Sequence, residues 1–418
     1  PAPGTANRRT YGSKNVRGDT GLSRFLVAGE CGHCPAGLSG DIGTLATGRP
    51  SGRPVSGTVA APASPHYIRA VTSTPLPDPH VRVAAAPGSG GLVDRHGRVA
   101  TDLRVSLTDR CNLRCSYCMP PEGLDWLPKV EVLTDDEVVR LVRIGVERLG
   151  IHEVRFTGGE PLLRPGLVGI VAATTALRPR PEVSLTTNAI GLARVAPALA
   201  GAGLDRINVS LDTLDRDRFK ALTHRDRLDD VLAGLRAARD AGLTPVKVNA
   251  VLMRGRNEAD AVPLLEFCLR NGYQLRFIEQ MPIDSNHAWT RGEMVTAEDI
   301  LEQLSARWTL TPDGEERGSA PAERWLVDGG PATVGVIASV TRSFCGACDR
   351  TRLTADGQVR NCLFAREESD LRTALRTGAT DDEIAGLWRA ATLGKLPGHG
   401  IDDPSFLQPS RPMSAIGG

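Results

Sequence analysis

The sequence predicts an α/β fold organised around a parallel β-sheet. From residue 102 onward, short apolar runs alternate with amphipathic stretches, and six such strand–helix units follow one another. Units in series of this kind form parallel sheets covered by helices. The pattern fits either a doubly wound sheet or an incomplete barrel. In both folds the chemistry lies at the carboxyl ends of the strands.

The first unit carries the clearest local signals. Leu103–Leu107 is a predicted strand, and Thr134 with Glu137 forms a capping box that opens the following helix. Gly150 is the predicted end of that helix. The later predicted strands are Val154–Thr157, Val183–Thr187, Arg206–Leu211, Val246–Leu252 and Leu275–Glu279, with predicted helices that include Asp229–Ala241 and Glu258–Arg270.

Both ends of the chain differ from this regular middle. Residues 1–98 are rich in Gly, Pro, Ala, Ser and Thr, a composition that predicts a disordered leader. After residue 282 the pattern is less regular, with a predicted strand at Val334–Ser339 and predicted helices at Ala365–Arg376 and Asp381–Ala391. We therefore divide the chain into a leader (1–98), a core (99–282) and a C-terminal region (283–418).

Composition excludes several classes of protein. The chain has 418 residues and a net charge of +1, which argues against a strongly basic nucleic-acid binder. No apolar run approaches the ~20 residues that span a bilayer. Nine cysteines, an odd number in a chain of this length, argue against a secreted disulfide scaffold. These features predict a cytoplasmic protein.

Three cysteines directly follow the first predicted strand. Cys111, Cys115 and Cys118 are one short of a closed tetrahedral zinc site and too many for a redox pair. A [4Fe–4S] cluster held by three thiolates keeps one iron open for a substrate or cofactor. The alternative is a zinc knuckle completed by a distant cysteine or histidine.

This C-x3-C-x2-C loop, with aromatic Tyr117 before its last cysteine, resembles the cluster loop of the radical S-adenosylmethionine (SAM) superfamily. Thr157–Pro161 contains Gly159 and Glu160 and resembles the superfamily's SAM-binding motif after the second strand. The resemblance implies that SAM chelates the open iron and that Tyr117 packs near the adenine. The positions it implies for SAM binding are Tyr117, Gly159, Glu160, Ser210 and Met281. Ala189 departs from the superfamily pattern, since relatives more often carry Gly at the position after Asn188.

A second set of three cysteines lies in the C-terminal region. Cys345, Cys348 and Cys362 again lack an obvious fourth ligand, although a zinc ribbon is an alternative. Between them, Arg350 and Arg352 would project from one face of an extended stretch. Paired guanidinium groups suit a polyphosphate.

Further cations lie on predicted strands. Arg104, Arg155 and Lys247 would be costly in a buried sheet unless they are paired or face a polar cavity. The set suggests a cavity built for an anion. The alternative is that each cation pairs with an acid such as Asp102, Glu153 or Glu279.

With these motifs, residues 99–418 resemble the GTP 3′,8-cyclase family of molybdenum cofactor biosynthesis. The resemblance implies an incomplete, six-unit TIM-like barrel of the radical SAM type, with a smaller C-terminal extension that carries a second iron–sulfur cluster. It implies a lyase with two [4Fe–4S] clusters that uses SAM to join ribose C3′ of GTP to guanine C8. The implied substrate-binding residues are Arg104, Arg155, Thr186, Lys247, Arg350, Thr351 and Arg352. Gly417 and Gly418 match a terminal Gly-Gly that reaches into the active site.

The resemblance also implies partners. These are GTP, an electron donor and a downstream cyclic pyranopterin monophosphate synthase, with neither nucleic acid nor membrane, and a homodimer stays open. Two other functions compete with this one: a radical SAM peptide maturase with an auxiliary cluster, and a non-catalytic zinc-binding module. Of the remaining cysteines, Cys31 and Cys34 flank His33 in the leader, and Cys268 is a predicted core residue.

Overall fold

The computed structural model describes residues 90–417. Within that range it has fourteen strands and ten α-helices. The strands are β1 Leu92–Val93, β2 Val99–Ala100, β3 Asp102–Ser106, β4 Glu153–Thr157, β5 Glu182–Thr187, β6 Arg206–Ser210, β7 Val246–Val251, β8 Gln274–Ile278, β9 Leu310–Pro312, β10 Glu323–Val327, β11 Thr333–Ile337, β12 Arg350–Leu353, β13 Gln358–Arg360 and β14 Ser369–Asp370. The helices are α1 Asp135–Leu149, α2 Leu167–Thr175, α3 Leu192–Gly201, α4 Arg216–Thr223, α5 Leu228–Asp240, α6 Ala261–Asn271, α7 Ala297–Ser305, α8 Leu371–Arg376, α9 Asp381–Leu393 and α10 Met413–Ile416.

Twelve of the strands form one sheet in the order β14-β13-β12-β3-β4-β5-β6-β7-β8-β11-β10-β9. The six predicted strands, β3 to β8, are parallel neighbours in chain order, as expected. Two strands of the C-terminal region extend them, because β12 pairs in parallel with β3 and β11 with β8. Part of the region after residue 282 therefore continues the barrel instead of standing beside it.

The sheet curls into an incomplete barrel. Arg104 on β3 lies close enough to Arg276 on β8 for its charge to lower the pKa of Arg276, although the two strands are five positions apart in the sheet. In a flat sheet that separation would be about 24 Å. Across the opening, Arg350 of β12 donates a hydrogen bond to the carbonyl of Ser319, in the β9–β10 loop. Antiparallel hairpins at both edges end the parallel pairing, so the barrel stays open.

Local signals explain how the crossover helices form. The Thr134 hydroxyl accepts from the Glu137 amide and the Glu137 carboxylate accepts from the Thr134 amide, which confirms the predicted capping box. Gly150 ends α1 in the left-handed conformation. The apolar faces of the helices pack on the outward-facing aliphatic residues of β3–β8 in a continuous core. None of the helices within residues 90–417 is long and apolar enough to cross a membrane.

Two predicted boundaries were wrong. Residues 90–98 were assigned to the leader, but β1 pairs with β2 and Leu92 is completely buried. The predicted helix at Ala365–Arg376 begins only at Leu371, because Asp370 caps it and the preceding residues form a turn and β14. The rest of the predicted leader, including Cys31, His33 and Cys34, lies outside the described residues, as does Gly418.

Candidate active site

The inner face of the curled sheet is polar. Side chains alternate between the two faces of a strand, so the residues between the aliphatic ones point into the barrel. On β3, Leu103 and Val105 join the core while Arg104 points inward. The interiors of TIM-type barrels are ordinarily filled by branched aliphatic side chains. A polar interior therefore indicates a binding cavity.

Six cationic side chains share this inner face. They are Arg104, Arg155, Lys247, Arg276, Arg350 and Arg352. Five of them were predicted, and Arg276 on β8 was missed. Another cation nearby, Arg206, forms ion pairs with Glu153 and Glu182.

Burial and mutual repulsion destabilise the charged forms of four of these cations. Burial, with Arg104 as the closest repelling charge, lowers the pKa of Arg155 to about 9 and that of Arg352 to about 9. Burial and Arg206 lower the pKa of Arg276 to about 10. Burial and Arg276 lower the pKa of Lys247 to about 7. Such a site favours an anion that would restore the charged forms.

Acidic partners do not neutralise the set. Asp102 lies among Arg104, Arg155 and Arg350, which outweigh the effect of burial and hold its pKa at about 2. Glu153 pairs with Arg206 instead, and Glu279 accepts from the amides of Ala297, Val340 and Thr341. The alternative of pairing with an acid holds for Arg104, whose Nη2 lies 3.2 Å from Asp102 Oδ2, but this one carboxylate cannot neutralise the whole set.

Orphaned polar atoms lie on β3 and β12, and a cavity lies beside β7 and β8. Within residues 90–417, buried atoms without a hydrogen-bond partner include Asp102 Oδ1, Arg104 Nε and Arg350 Nε. A cavity of about 630 Å³ lies toward the amino-terminal ends of β7 and β8, lined in part by Lys247 and Arg276. Lys247 and Arg276 therefore line a cavity away from the carboxyl ends of the strands, where the sequence pattern placed the chemistry.

The first cysteine loop lies at the opposite, carboxyl ends of the strands. Cys111, Cys115 and Cys118 are free thiols close enough to influence one another's ionisation. Burial raises the pKa of Cys111 to about 11 and that of Cys118 to about 12. Asn188 at the end of β5 donates to the Cys111 sulfur at 3.7 Å. The loop thus brings three sulfurs together next to strand ends that carry polar side chains.

Gly158 and Gly159 fit closely against this loop. A Cβ on Gly159 would lie 2.3 Å from the carbonyl oxygen of Arg110, and one on Gly158 would lie 2.5 Å from that of Thr108. The Gly159 amide donates to the Thr108 carbonyl at 2.6 Å. The absence of side chains therefore lets the loop backbone approach, which is a role that the sequence interpretation did not foresee.

Glu160 is almost completely buried and already engaged. Its carboxylate accepts from the Thr187 hydroxyl at 2.6 Å and from the amides of Asn188 and Leu162 at 2.7 and 2.9 Å. Burial raises its pKa to about 7. Since a carboxylate has about four acceptor positions, one remains for a ligand. The SAM-binding role of Glu160 stays a prediction.

The other predicted SAM-binding residues surround the same loop. The Tyr117 hydroxyl donates to Asp212 at 2.8 Å, which fixes the ring between the loop and β6. Ser210 is the last residue of β6. Met281 follows β8 and packs against the small apolar cluster of Met294, Val340 and Ile401. Their contacts with SAM stay predictions.

The second set of cysteines lies in the segment around β12. Cys345, Cys348 and Cys362 are free thiols, and Cys345 lies close enough to the other two to be affected by their charge. Burial favours the neutral thiol of Cys348, but Lys395 and Arg350 outweigh it and lower the pKa. Arg350 Nη1 lies 3.6 Å from the Cys348 sulfur. This set therefore lies beside the cationic interior.

One predicted substrate-binding side chain points away from the cavity. Arg350 and Arg352 face the interior as expected, so Thr351 between them faces the helices. Its hydroxyl accepts from Trp388 Nε1 of α9 at 3.1 Å, and it is 1% exposed. This orientation does not support a side-chain contact with substrate, and the substrate-binding role of Thr351 stays a prediction. Thr186 does lie on the polar side of β5, within 3.4 Å of Asn208 Nδ2.

The C-terminal segment reaches into the barrel. The Gly417 carbonyl accepts a hydrogen bond from Arg352 Nη1. A Cβ on Gly417 would lie 2.9 Å from Thr157 and 3.1 Å from Ser106, so only glycine fits between β3 and β4. The residue before it, Ile416, is almost completely buried. Gly417 therefore lies where the sequence interpretation placed it.

The thiol geometry bears on the zinc alternatives. Among the described residues, no group of three or more His, Cys, Asp or Glu side chains converges tightly enough to hold a single metal ion. A structural zinc site needs its ligands at about 2.0–2.3 Å from one ion. Three thiolates are one ligand short of a closed zinc site, and they are the ligand number of a [4Fe–4S] cluster that keeps one iron open.

Comparison with known proteins identifies the family. Residues 105–268 match the model of the Radical SAM superfamily, and residues 273–401 match that of Molybdenum Cofactor Synthesis C. The GTP 3′,8-cyclase of Streptomyces coelicolor is 69% identical over 338 residues, which cover 81% of this chain and 99% of that protein. The chain belongs to the GTP 3′,8-cyclase family.

Further relatives are named as GTP 3′,8-cyclases too. A GTP 3′,8-cyclase of a Mycobacterium species is 66% identical and covers 83% of this chain and 100% of its own. GTP 3′,8-cyclase 2 of Mycobacterium tuberculosis is 62% identical and covers 82% of this chain and 95% of its own. Among solved structures, Streptococcus suis SuiB bound to S-adenosylmethionine aligns with 70% of this chain and 69% of its own, at 15% identity and a TM-score of 0.48. That likeness is too weak to add to the argument.

Membership of the GTP 3′,8-cyclase family, within the radical SAM superfamily, assigns iron–sulfur clusters and SAM as cofactors. Cys111, Cys115 and Cys118 fit one [4Fe–4S] cluster, and Cys345, Cys348 and Cys362 fit the other. The binding roles of the individual residues stay predictions, and one inward-facing cation, Arg276, was not among them. The signal that could have found it is its alternation with Leu275 and Phe277, which belong to the core.

Proposed function

We propose that this chain is a lyase that converts GTP to (8S)-3′,8-cyclo-7,8-dihydroguanosine 5′-triphosphate, the first step of molybdenum cofactor biosynthesis. The observation that carries the proposal is the cationic barrel interior with one three-cysteine set at its carboxyl mouth and another beside Arg350 and Arg352. A zinc-binding module has no use for this interior. A peptide maturase has no need for six inward-facing cations.

The triphosphate would be held by the inward-facing cations. Arg155, Lys247 and Arg276 lie close enough to one another across the barrel for their positive charges to repel. A GTP triphosphate carries about four negative charges, which would offset their mutual repulsion and restore ordinary pKa values. Arginine forks give bidentate hydrogen bonds to phosphate oxygens, so the anion is both bound and oriented.

Orientation is the protein's main contribution to the reaction. When bound, the clusters and SAM supply one-electron cleavage of SAM and an open iron for the guanine. The chain must hold ribose C3′ next to the SAM-binding loop and next to guanine C8, since a small misplacement removes most of the rate. Holding the triphosphate at Arg104, Arg155 and Lys247 would fix the ribose between the two cysteine sets.

Exclusion of water is the second contribution. Gly417 and Ile416 fill the space beside β3 and β4, and Arg352 holds the Gly417 carbonyl. A radical reaction needs a closed site, because stray hydrogen donors would end it early. The C-terminal segment would therefore close this side of the site to water.

The test uses the full chain, reconstituted with iron and sulfide without oxygen. It should bind about eight irons and release 5′-deoxyadenosine in step with conversion of GTP to the cyclised product. Cys111→Ser and Cys345→Ser should each lose about half the iron. A protein with about four irons, or one that cleaves SAM without any dependence on GTP, would overturn the proposal.

Partners and location follow from the same proposal. The reaction needs an electron donor, and its product would pass to cyclic pyranopterin monophosphate synthase. Clusters with an open iron require a reducing compartment, so we place the chain in the cytoplasm. A pull-down with the purified synthase and measurement of oxygen sensitivity test these points.

A further inference from the structure

One buried lysine beside the second cysteine set has no role in the proposed reaction. Lys395 follows α9 and is 5% exposed. Its Nζ lies 2.9 Å from the Arg350 carbonyl, 3.1 Å from the Cys348 carbonyl and 3.4 Å from the Cys348 sulfur. All three of its N–H donors are thus directed at the segment that carries Cys348.

This ammonium lacks a carboxylate partner. No ion pair within residues 90–417 includes Lys395, although 27 others are present there. A buried charge without a counter-charge is strongly destabilising, so buried lysines are normally paired or bound to an anion. The Cys348 sulfur, 3.4 Å from Nζ, can supply a negative charge once it is a cluster thiolate.

The two cysteine sets differ in their surroundings, although Arg114 also lies near Cys111 and donates to its carbonyl at 2.7 Å. Cys348 has Lys395 at 3.4 Å and Arg350 Nη1 at 3.6 Å. The first set is flanked by buried acids instead: Asp212 through Tyr117, and Glu160 through Asn188. Positive charge and hydrogen bonds at a cluster sulfur stabilise the reduced cluster, which carries one more negative charge.

We propose that Lys395 is a positioning residue that donates to the Cys348 thiolate and makes the second cluster easier to reduce than it would be without this lysine. The inference rests on the proposed function only in requiring the second cluster. It assigns Lys395 a duty that does not involve touching GTP or SAM.

The experiment measures the midpoint potential of each cluster in the reconstituted full chain, by redox titration followed with electron paramagnetic resonance. Lys395→Met removes both the charge and the donor at similar length. The midpoint of the second cluster should become more negative, while that of the first cluster stays at the wild-type value. Lys395→Arg should restore the wild-type midpoint, because it keeps the charge and the donors. Lys220→Met, on the exposed side of α4, is the matched control and should move neither potential.

A purely structural role predicts a different result. If Lys395 only ties carbonyls together, the methionine variant with about eight irons would keep the wild-type midpoint, and the inference is overturned. Should Lys395→Met fail to load the second cluster, Lys395→Gln decides, since it keeps a donor without charge. A loaded glutamine variant with a more negative midpoint supports the inference, and one with an unchanged midpoint overturns it. Wild-type protein with about four irons would overturn the proposed function and this inference with it.

Discussion

Arg411 fastens the C-terminal segment to the hairpin that carries Arg352. Its guanidinium donates to the two oxygens of Asp356 at 3.0 and 2.8 Å and lies 2.8 Å from Glu368. Asp356 is in the turn between β12 and β13 and is 5% exposed. Since Gly417 lies six residues further along, we expect Arg411→Ala to loosen the segment that closes the barrel.

The size of the effect follows from these contacts. A hydrogen bond to a charged group contributes about 1.5–3 kcal/mol, and a bidentate pair is at the upper end. The Arg411 side chain is 25% exposed, and Asp356 keeps the Thr354 hydroxyl at 2.6 Å, so solvent and that donor offset part of the loss. We expect a net loss of about 2 kcal/mol in docking of the tail, which is roughly a 30-fold change in the docking equilibrium.

Hydrogen–deuterium exchange measured by mass spectrometry tests this directly. Amides of residues 413–417 should exchange roughly 30-fold faster in Arg411→Ala, while β3–β8 keep their protection. Coupling of 5′-deoxyadenosine release to GTP conversion should fall in parallel, because the open site admits water. Arg216→Ala is the control, since Arg216 also makes two ion pairs but lies on α4. An unchanged exchange rate at the Ile416 amide in Arg411→Ala would refute the idea that Arg411 fastens the C-terminal segment.

Three further predictions concern the binding cavity and the cysteine loop. Arg352→Ala should weaken GTP binding in calorimetry while SAM cleavage persists, and unchanged GTP affinity would contradict its phosphate role. The pKa of Lys247 is about 7 in the empty site, and a bound polyanion raises it, so GTP binding takes up a proton and its affinity should fall as pH rises from 7 to 9. Lys247→Met should flatten that slope, as measured by calorimetry across pH. Gly159→Ala places a Cβ 2.3 Å from the Arg110 carbonyl and should halve the bound iron, whereas Gly169→Ala, with nothing within 4 Å, should retain all of it.

Local rules predicted much of the fold. Thr134, Glu137 and Gly150 mark the ends of α1 because capping depends on neighbours in the chain. The turn between β12 and β13 follows a local rule too, because it is built on the turn dipeptide Asp356-Gly357 and Gly357 has a positive φ. Such signals need no knowledge of distant residues.

Long-range contacts decided what the sequence could not indicate. The segment before α8 is not helical because buried Arg360 pairs with Glu368 and takes the Ala365 carbonyl. Leu92 belongs to the fold because β1 pairs with β2 and packs against α9, which lies nearly 300 residues away in the chain. The prediction that residues 90–98 belong to the leader was based on composition alone.

The site shows the same limit. Strand alternation predicted that Arg350 and Arg352 face one way, and the same rule applied to Thr351 would have turned it away from the cavity. Arg276 and Arg206 look alike in the sequence, and only the structure shows that Arg206 has two carboxylate partners. Lys395 carries no local signal at all, because its significance depends on the Cys348 sulfur 47 positions away.

The cationic barrel interior also has a consequence for the stability of the empty protein. Six like charges on one inner surface repel one another, so the empty chain should be less stable than its size suggests. A polyanion that binds only the folded state adds about 2.7 kcal/mol at a concentration 100 times its Kd. Melting temperature should therefore rise in the order monophosphate, diphosphate, triphosphate for any nucleoside, and this ranking would report on the interior without any cluster chemistry. In a cell, abundant nucleotides would act as folding ligands for this chain before it performs any reaction.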